Sequence, residues 1–296
     1  MPPEIAARAL RVAVVGSVNL DLVARVARFP QPGETLSDAR IARHPGGKGA
    51  NQALAARRLG AQVWMVACVG DDPVADEALA GLRAEGVDLS RCRVLPGTAT
   101  GQALILVADG GENQIVVAPG ANAAFTPASL ALPEVDCLVA QLEVPGETLL
   151  AAALQHQGLF VLNAAPVRPV APQLLARTDV LVVNEIEAGT LQGQLAGFDG
   201  LLAVTLGSRG AVLYRHGQQI AQARPPRVEV LDTTGAGDAF TAALAVGLAS
   251  GIEPAKALQR ACCAGALATT KAGAQAAPTS AELDAICGPQ MAIDKA

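Results

Sequence analysis

Aromatic side chains are scarce in this 296-residue chain: one Trp, one Tyr and five Phe make up 2% of it. Aliphatic side chains must therefore fill any core, and hydrophobic residues at 51% supply enough of them for a sizeable one. A basic excess is also missing. Lys and Arg number 22 against 27 Asp and Glu, a net charge of -5, which disfavours nucleic acid as the main partner. No apolar run approaches membrane-spanning length. Met1 to Arg11 holds two Pro, a Glu and two Arg in place of the apolar centre of a secretory leader. The six cysteines show no CxxC pair and no zinc spacing. They read as small buried hydrophobes in a reducing compartment, with adjacent Cys262 and Cys263 as packing residues. The expectation is a soluble, cytoplasmic protein without a nucleic-acid or membrane partner. Internal repeats and low-complexity linkers are absent too.

What the chain does have is alternation. Val12 to Val15 is a short β-branched run ending at Gly16, and further strand-like runs are Gln62 to Val69, Cys137 to Ala140, Leu159 to Leu162, Val180 to Val183 and Leu201 to Leu206. Helical spacing fits between them, as in Val74 to Ala84 and Gly146 to His156. Such a pattern argues for a mostly parallel central sheet flanked by helices on both faces. Ligands then collect at the carboxyl ends of the strands, where Gly16, Asn163, Asn184 and Gly207 fall. Two segments break the pattern: Leu22 to Arg43, with Pro30, Pro32 and Gly33, and a hairpin candidate Ala103 to Val117 turning at Ala108-Asp109-Gly110-Gly111. From Asp232 to Cys287 the chain reads as mostly helical.

Two glycine-rich stretches carry chemistry. Asp232-Thr233-Thr234-Gly235-Ala236-Gly237-Asp238 runs straight into an apolar helix pattern. Its amides can converge on an anion at a helix start, and Asp238 beside that anion suits a base that takes a proton from a hydroxyl attacking phosphate. Alone it fits equally well a glycine turn whose Asp sits favourably on the helix macrodipole. Gly46-Gly47-Lys48-Gly49-Ala50-Asn51-Gln52 also opens a helix pattern. It lacks the spacing and the Ser or Thr of a Walker A loop. Lys48 and Asn51 suit sugar hydroxyls; a turn with a solvated Lys is the plainer alternative.

Together the two stretches closely resemble the two signatures of the PfkB carbohydrate kinase family, in particular its ribokinase group. Further family-like elements follow in order: Gly16-Ser17-Val18-Asn19-Leu20-Asp21, Pro32-Gly33-Glu34-Thr35, Gly70-Asp71-Asp72, Gln141-Leu142-Glu143, Asn163-Ala164-Ala165-Pro166, Asn184-Glu185-Ile186-Glu187 and Thr205-Leu206-Gly207-Ser208-Arg209-Gly210. The resemblance implies a ribokinase-like three-layer α/β sandwich as one domain over 1–296, with a small discontinuous β lid from about 19–45 and 94–118. It implies transfer of the ATP γ-phosphoryl group to D-ribose, with Asp238 as general base and the Gly235, Ala236 and Gly237 amides as anion hole. Asn19, Asp21, Gly47, Lys48, Asn51 and Glu143 would hold the sugar. Asn184, Glu187, Thr205, Gly207, Gly210, Gly237 and Cys262 would serve the nucleotide, Glu187 placing Mg2+ through water. A K+ ion would sit among Asp232, Thr234, Ala268, Lys271, Gly273 and Ala277. Lids of this kind often pair two subunits, so a homodimer is expected, with Leu104, Leu106, Ile115 and Val117 as an apolar lid face.

Several positions depart from the pattern. Ala164 replaces the first Pro of Asn-Pro-Ala-Pro, which should loosen that loop. Only Ala188 to Gly200 stands where a longer helical insertion is usual. Cys262 replaces a His or Asn, Lys271 an Arg and Ala277 a Ser. Alternatives are another kinase of the family, acting on 2-deoxyribose, fructose, 2-keto-3-deoxygluconate or a nucleoside, or a non-catalytic sugar sensor on the same scaffold. The scarcity of aromatics argues against a nucleoside base pocket.

Overall fold

The computed structural model describes residues 8–288. Strands β1 (Arg11–Val15), β8 (Cys137–Gln141), β9 (Leu159–Asn163) and β10 (Val180–Asn184) are buried at almost every position. Parallel strands covered on both faces need that pattern. With β4 (Gln62–Gly70), β5 (Asp88–Leu95), β11 (Leu201–Thr205), β12 (Ala211–Arg215) and β13 (Gln218–Ala223) they form one nine-stranded sheet. Its order is β13-β12-β11-β10-β9-β8-β1-β4-β5, and only β12 and β13 run antiparallel to their neighbours.

Successive side chains of a strand enter opposite faces, and two cores result. Val12 and Val14 join the core under helices α1 (Lys48–Arg58), α2 (Pro73–Ala84), α7 (Ala236–Ala249) and α8 (Pro254–Ala268). Ala13 and Val15 join the other, with Phe125 and Phe160, under α3 (Gly146–Gln155) and α4 (Pro172–Arg177). This is the helix–sheet–helix sandwich expected from the alternation. The short 188–200 segment still folds: α5 (Glu185–Thr190) and α6 (Gln192–Leu195) bury Leu191 and Phe198 in the second core.

The smaller sheet contains β2 (Asn19–Val26), β3 (Arg40–Gly46), β6 (Gly101–Ala108) and β7 (Asn113–Ala118), in the order β3-β2-β6-β7. Val94 and Leu95 lie on β5 in the large sheet, so the second stretch of the small sheet begins at Gly101. Register also divides the apolar lid residues. Leu104 pairs with Val116, while Ala103 pairs with Val117 and Ile105 with Ile115. Paired residues share a face, so Leu104, Leu106 and Val116 lie on one side of the lid and Ile115 and Val117 on the other. Asp21, opposite Ala103, shares the second side.

One cysteine pair departs from the sequence reading. Cys68, Cys137 and Cys262 are buried free thiols and Cys92 is a half-buried one. Cys263 and Cys287 are joined as a disulfide, with Cα atoms 6.6 Å apart. Their 24-residue separation matches no motif. Packing of α8 on α9 (Ser280–Cys287), reinforced by an Arg260–Asp284 ion pair at 2.7 Å, brings them together. Among the described residues no helix is long and apolar enough to cross a membrane. Most of the leader reading falls on Met1–Ala7, outside the described residues.

Candidate active site

Two helices begin at the carboxyl edge of the parallel strands, and their starts define the site. Helix α1 starts at Lys48 after Gly47, which has φ 88°. A Cβ on Gly47 would press on Asn19 N and Ser17 O, at 2.8 and 3.0 Å. The glycine therefore lets the loop lie against β2. Helix α7 starts after Gly235, at φ 76° and with no side-chain cap. Of the first-turn amides, Ala236 donates to the Thr233 carbonyl at 3.3 Å and Ala239 to the Gly235 carbonyl at 2.9 Å, while Gly237 and Asp238 line the cleft.

Asp238 lies in that first turn, 7% exposed. Each of its oxygens accepts one amide hydrogen bond, Oδ2 from Asn51 Nδ2 at 2.9 Å and Oδ1 from Gln52 Nε2 at 2.8 Å. Having donated to Asp238, Asn51 keeps a buried Oδ1 with no partner. An orphaned acceptor beside a carboxylate is a ready receptor for a ligand hydroxyl. A cleft of ≈ 240 Å³ joins Asp238, Gly235 and Gly237 to Lys48, Asn163, Asn184, Glu187 and Thr205. A larger cavity, ≈ 720 Å³, lies at the amino ends of β9 to β11, against Pro172, Phe198 and Arg215. That is the opposite edge from the one where such sheets bind ligands.

The site is crowded with carboxylates. Burial, then the neighbouring charges of Glu143 and Asp238, raise Asp21 to about 6 from an ordinary 3.8, against a smaller pull from Lys48. For Lys48 burial acts downward, but Asp238, Glu143, Glu187 and Asp21 outweigh it and hold the ammonium above its usual range. Glu143 accepts from Ser17 Oγ at 2.5 Å and from the Lys48 amide at 3.0 Å. Asn19 Oδ1 accepts from Asn122 Nδ2 at 2.7 Å, which fixes the start of β2.

Asn184 and Glu187 first cap a helix. Asn184 Oδ1 accepts the Glu187 amide at 2.8 Å, and Glu187 Oε2 accepts the Asn184 amide at 2.7 Å. This is the reciprocal box that such a spacing favours. Both also line the cleft. Burial raises Glu187, opposed by the Asn184 amide and Lys48. Thr205 ends β11 in the cleft wall and Gly207 opens onto free space. Gly210 has a packing reason instead: a Cβ there would run into the Ala223 carbonyl.

Asp232 ties two loops together, accepting from the Thr234 amide and hydroxyl at 2.9 and 2.7 Å and from the Gly273 amide at 2.9 Å. Burial opposes ionisation there, but these donors outweigh it and hold the carboxyl below its usual range. The Leu231 and Asp232 amides both donate to the Thr269 carbonyl, so 231–234 lies along the chain after Ala268.

These positions bear on three of the sequence readings. Cys262 is buried between α8 and β13, its Sγ against the Ala223 carbonyl, and does not line the cleft. Ala277 accepts on its carbonyl from Arg58 Nη1 at 2.9 Å, and the Lys271 ammonium pairs with Glu282 at 2.6 Å, which leaves the Lys271 main chain as its part of the loop. Ala164 does not loosen its loop; it is fully buried and its amide donates to the Val182 carbonyl, a bond Pro could not make.

Sequence reasoning missed the polar residues that hold the site from behind. Gln52, Gln141, Ser17 and Asn122 are at most 2% exposed. Gln52, Gln141 and Ser17 stood inside the quoted motifs, so their location was visible although their roles were not.

Residues 9–281 match the family model described as pfkB family carbohydrate kinase. Ribokinase of Bacillus subtilis (strain 168) is 38% identical over 288 residues, covering 92% of this chain and 98% of that protein. A deoxyribokinase of Salmonella typhi is 32% identical over 295 residues, covering 92% and 96%. The solved structure of Arabidopsis thaliana ribokinase complexed with ribose and ATP matches with a TM-score of 0.82 at 28% identity, covering 95% and 99%. The chain belongs to the PfkB family of carbohydrate kinases.

Proposed function

We propose that the protein transfers the γ-phosphoryl group of ATP to the primary hydroxyl of D-ribose, giving D-ribose 5-phosphate. The observation that carries this reading is Asp238. Its carboxylate is oriented by two amides at the open N-terminus of α7 and lies beside an orphaned acceptor on Asn51. In the reaction Asp238 accepts the hydroxyl proton as the sugar oxygen bonds to the γ-phosphorus and the bond to the β-phosphate oxygen breaks, releasing ADP. The Gly235 and Gly237 amides meet the charge that develops on the transferring group. Lys48 reaches the same cleft.

Asn19, Asp21, Asn51 and Glu143 are assigned to the sugar: carboxylates accept from its hydroxyls and Asn51 Oδ1 accepts one more. Glu187, with one oxygen committed to the helix cap, suits a Mg2+ held through water and phosphates. Among the described residues no group of three His, Cys, Asp or Glu forms a metal cluster. Mg2+ would neutralise charge on the polyphosphate. Asp232 and the main chain of Thr234, Ala268, Lys271 and Gly273 offer only oxygen donors, which fits K+. That ion would steady the loop leading into the anion hole. A homodimer through the lid fits the exposed Ile41, Leu104 and Val116, which share one side of it.

The second reading is 2-deoxyribose as acceptor, favoured by the deoxyribokinase relative. ADP release across a panel of sugars and nucleosides separates the two. Asp238→Asn tests the mechanism. Ribose binding should stay within a few-fold while kcat falls about 10²- to 10⁴-fold; near-full activity would remove Asp238 as the base.

A further inference from the structure

Gln52 is fully buried on α1, where Ala50, Ala53 and Leu54 are buried near it and Asn51 precedes it. An aliphatic side chain would fill that place between helix and sheet without burying an amide. Nor does Gln52 have the exposure to touch a ligand. What it does have is a fully directed amide. Its Nε2 donates to Asp238 Oδ1 at 2.8 Å and to Asn163 Oδ1 at 3.1 Å, and its Oε1 accepts from Gln141 Nε2 at 2.7 Å. Asn163 is oriented in turn by donating from Nδ2 to the Val182 carbonyl at 3.2 Å. The orientation of each amide follows from the next, back to the main chain of the central sheet.

We propose that Gln52 is a positioning residue for Asp238, with Gln141 and Asn163 as its supports. Asn51 holds one oxygen of the carboxylate and Gln52 the other, so the base cannot turn without breaking a hydrogen bond. The remaining lone pairs then face the sugar hydroxyl before it arrives. Two costs in the fold are explained by this role. Gln141 keeps a buried Oε1 without a partner while its Nε2 serves Gln52. Gly16 leaves room for that side chain, since a Cβ at Gly16 would collide with the Gln141 amide oxygen.

The inference rests on the reading of Asp238 as the base, and the experiment separates the two. Besides the amides, the charged groups facing Asp238 are Lys48 from α1 and Asp21 from β2, with Glu143 and Glu187 beyond Lys48. All are unchanged in the variants, so the pH profile of kcat at saturating sugar isolates the effect of Gln52. Gln52→Met should leave the sugar KM within about threefold and lower kcat about 10- to 100-fold. Losing an N–H donor to the carboxylate should also move the acid limb of kcat to higher pH. Gln52→Glu should move it further, by adding a like charge. Gln141→Met should lower kcat by about two- to fivefold alone and add nothing to Gln52→Met, because Gln141 acts only through Gln52. An unchanged kcat and acid limb in folded Gln52→Met, or independent losses in the double variant, overturn the proposal. If Gln52→Met does not fold, near-isosteric Gln52→Glu carries the test, and an unmoved acid limb overturns it. Near-full activity in Asp238→Asn would instead remove the base itself.

Discussion

Replacing Asp21 with Asn should make the protein more stable and a poorer sugar binder at once. Burial, Glu143 and Asp238 raise this carboxyl to about 6, against 3.8 for an ordinary aspartate. In the unfolded chain it ionises near the ordinary value. Between those two pH values the unfolded state has released a proton that the folded state retains, so rising pH costs stability across that window. Above about 6 the penalty is complete. A shift of about two pH units corresponds to about 3 kcal/mol. Asp21 is only half-buried, so solvent screening brings the expected value down to about 1–2 kcal/mol. Asn keeps the shape and never ionises. Asp21→Asn should therefore raise Tm by about 2–3 °C at pH 7.5 for a chain of this length. That advantage should shrink toward zero as pH falls through 6 to about 4. The same substitution removes a charged acceptor for sugar hydroxyls and should raise the ribose KM about 10- to 100-fold. Thermal unfolding of both proteins from pH 4 to 7.5, with KM at the upper end, is the assay. A Tm difference that is constant across the range, or a loss of stability at pH 7.5, refutes the reasoning.

Three further outcomes are expected. Ser17→Ala removes the fully buried hydroxyl that donates to Glu143 and accepts from the Gly49 amide; it should cost about 1–3 kcal/mol of stability and weaken sugar binding with kcat nearly unchanged. A collapse of kcat at constant KM would reassign Glu143. Replacing tetramethylammonium chloride with potassium chloride should raise turnover several-fold, and Asp232→Ala should abolish the difference; equal rates in the two salts remove the cation from the proposal. Sedimentation at micromolar concentration should show a dimer, with Val116→Glu shifting it to monomer, since Val116 is 65% exposed on the lid. A monomeric parent protein would refute the lid interface.

The central sheet was legible because parallel strands buried on both faces leave short continuous aliphatic runs, and β1, β8, β9 and β10 do so. The lid hairpin announced itself by its glycine turn. β13 was less legible, since its Gln218–Ala223 sequence is largely exposed and gives no apolar run. Lid facing was misread for a different reason: which apolar residues share a side depends on cross-strand register, and Leu104 opposite Val116 follows from pairing alone. The Cys263–Cys287 link likewise depends on how α8 and α9 dock, which spacing does not encode.

The site divides along the same physical line. Glycine turns at helix starts are local, so Gly47 and Gly235 mark the cleft from sequence, and the residues beside them come with it. A group whose role is to orient another leaves no such mark, because its partners arrive from other elements. Gln52 on α1 meets Asp238 on α7, Asn163 ending β9 and Gln141 ending β8. The electrostatics also emerge only on assembly. Asp21, Glu143, Glu187 and Asp238 share one half-buried ammonium, Lys48. A nucleotide polyphosphate entering such a cleft meets more negative charge than Lys48 can offset. The first-turn amides of α7 supply part of the balance, and burial together with the neighbouring carboxylates keeps Asp21 largely protonated below about pH 6. Sugar hydroxyls that donate to Asp21 favour its ionised form, so binding from below that pH must release a proton. Ribose affinity should then fall as pH drops below about 6, and the dependence should disappear in Asp21→Asn; a dependence that survives the substitution would place the titrating group elsewhere in the cleft.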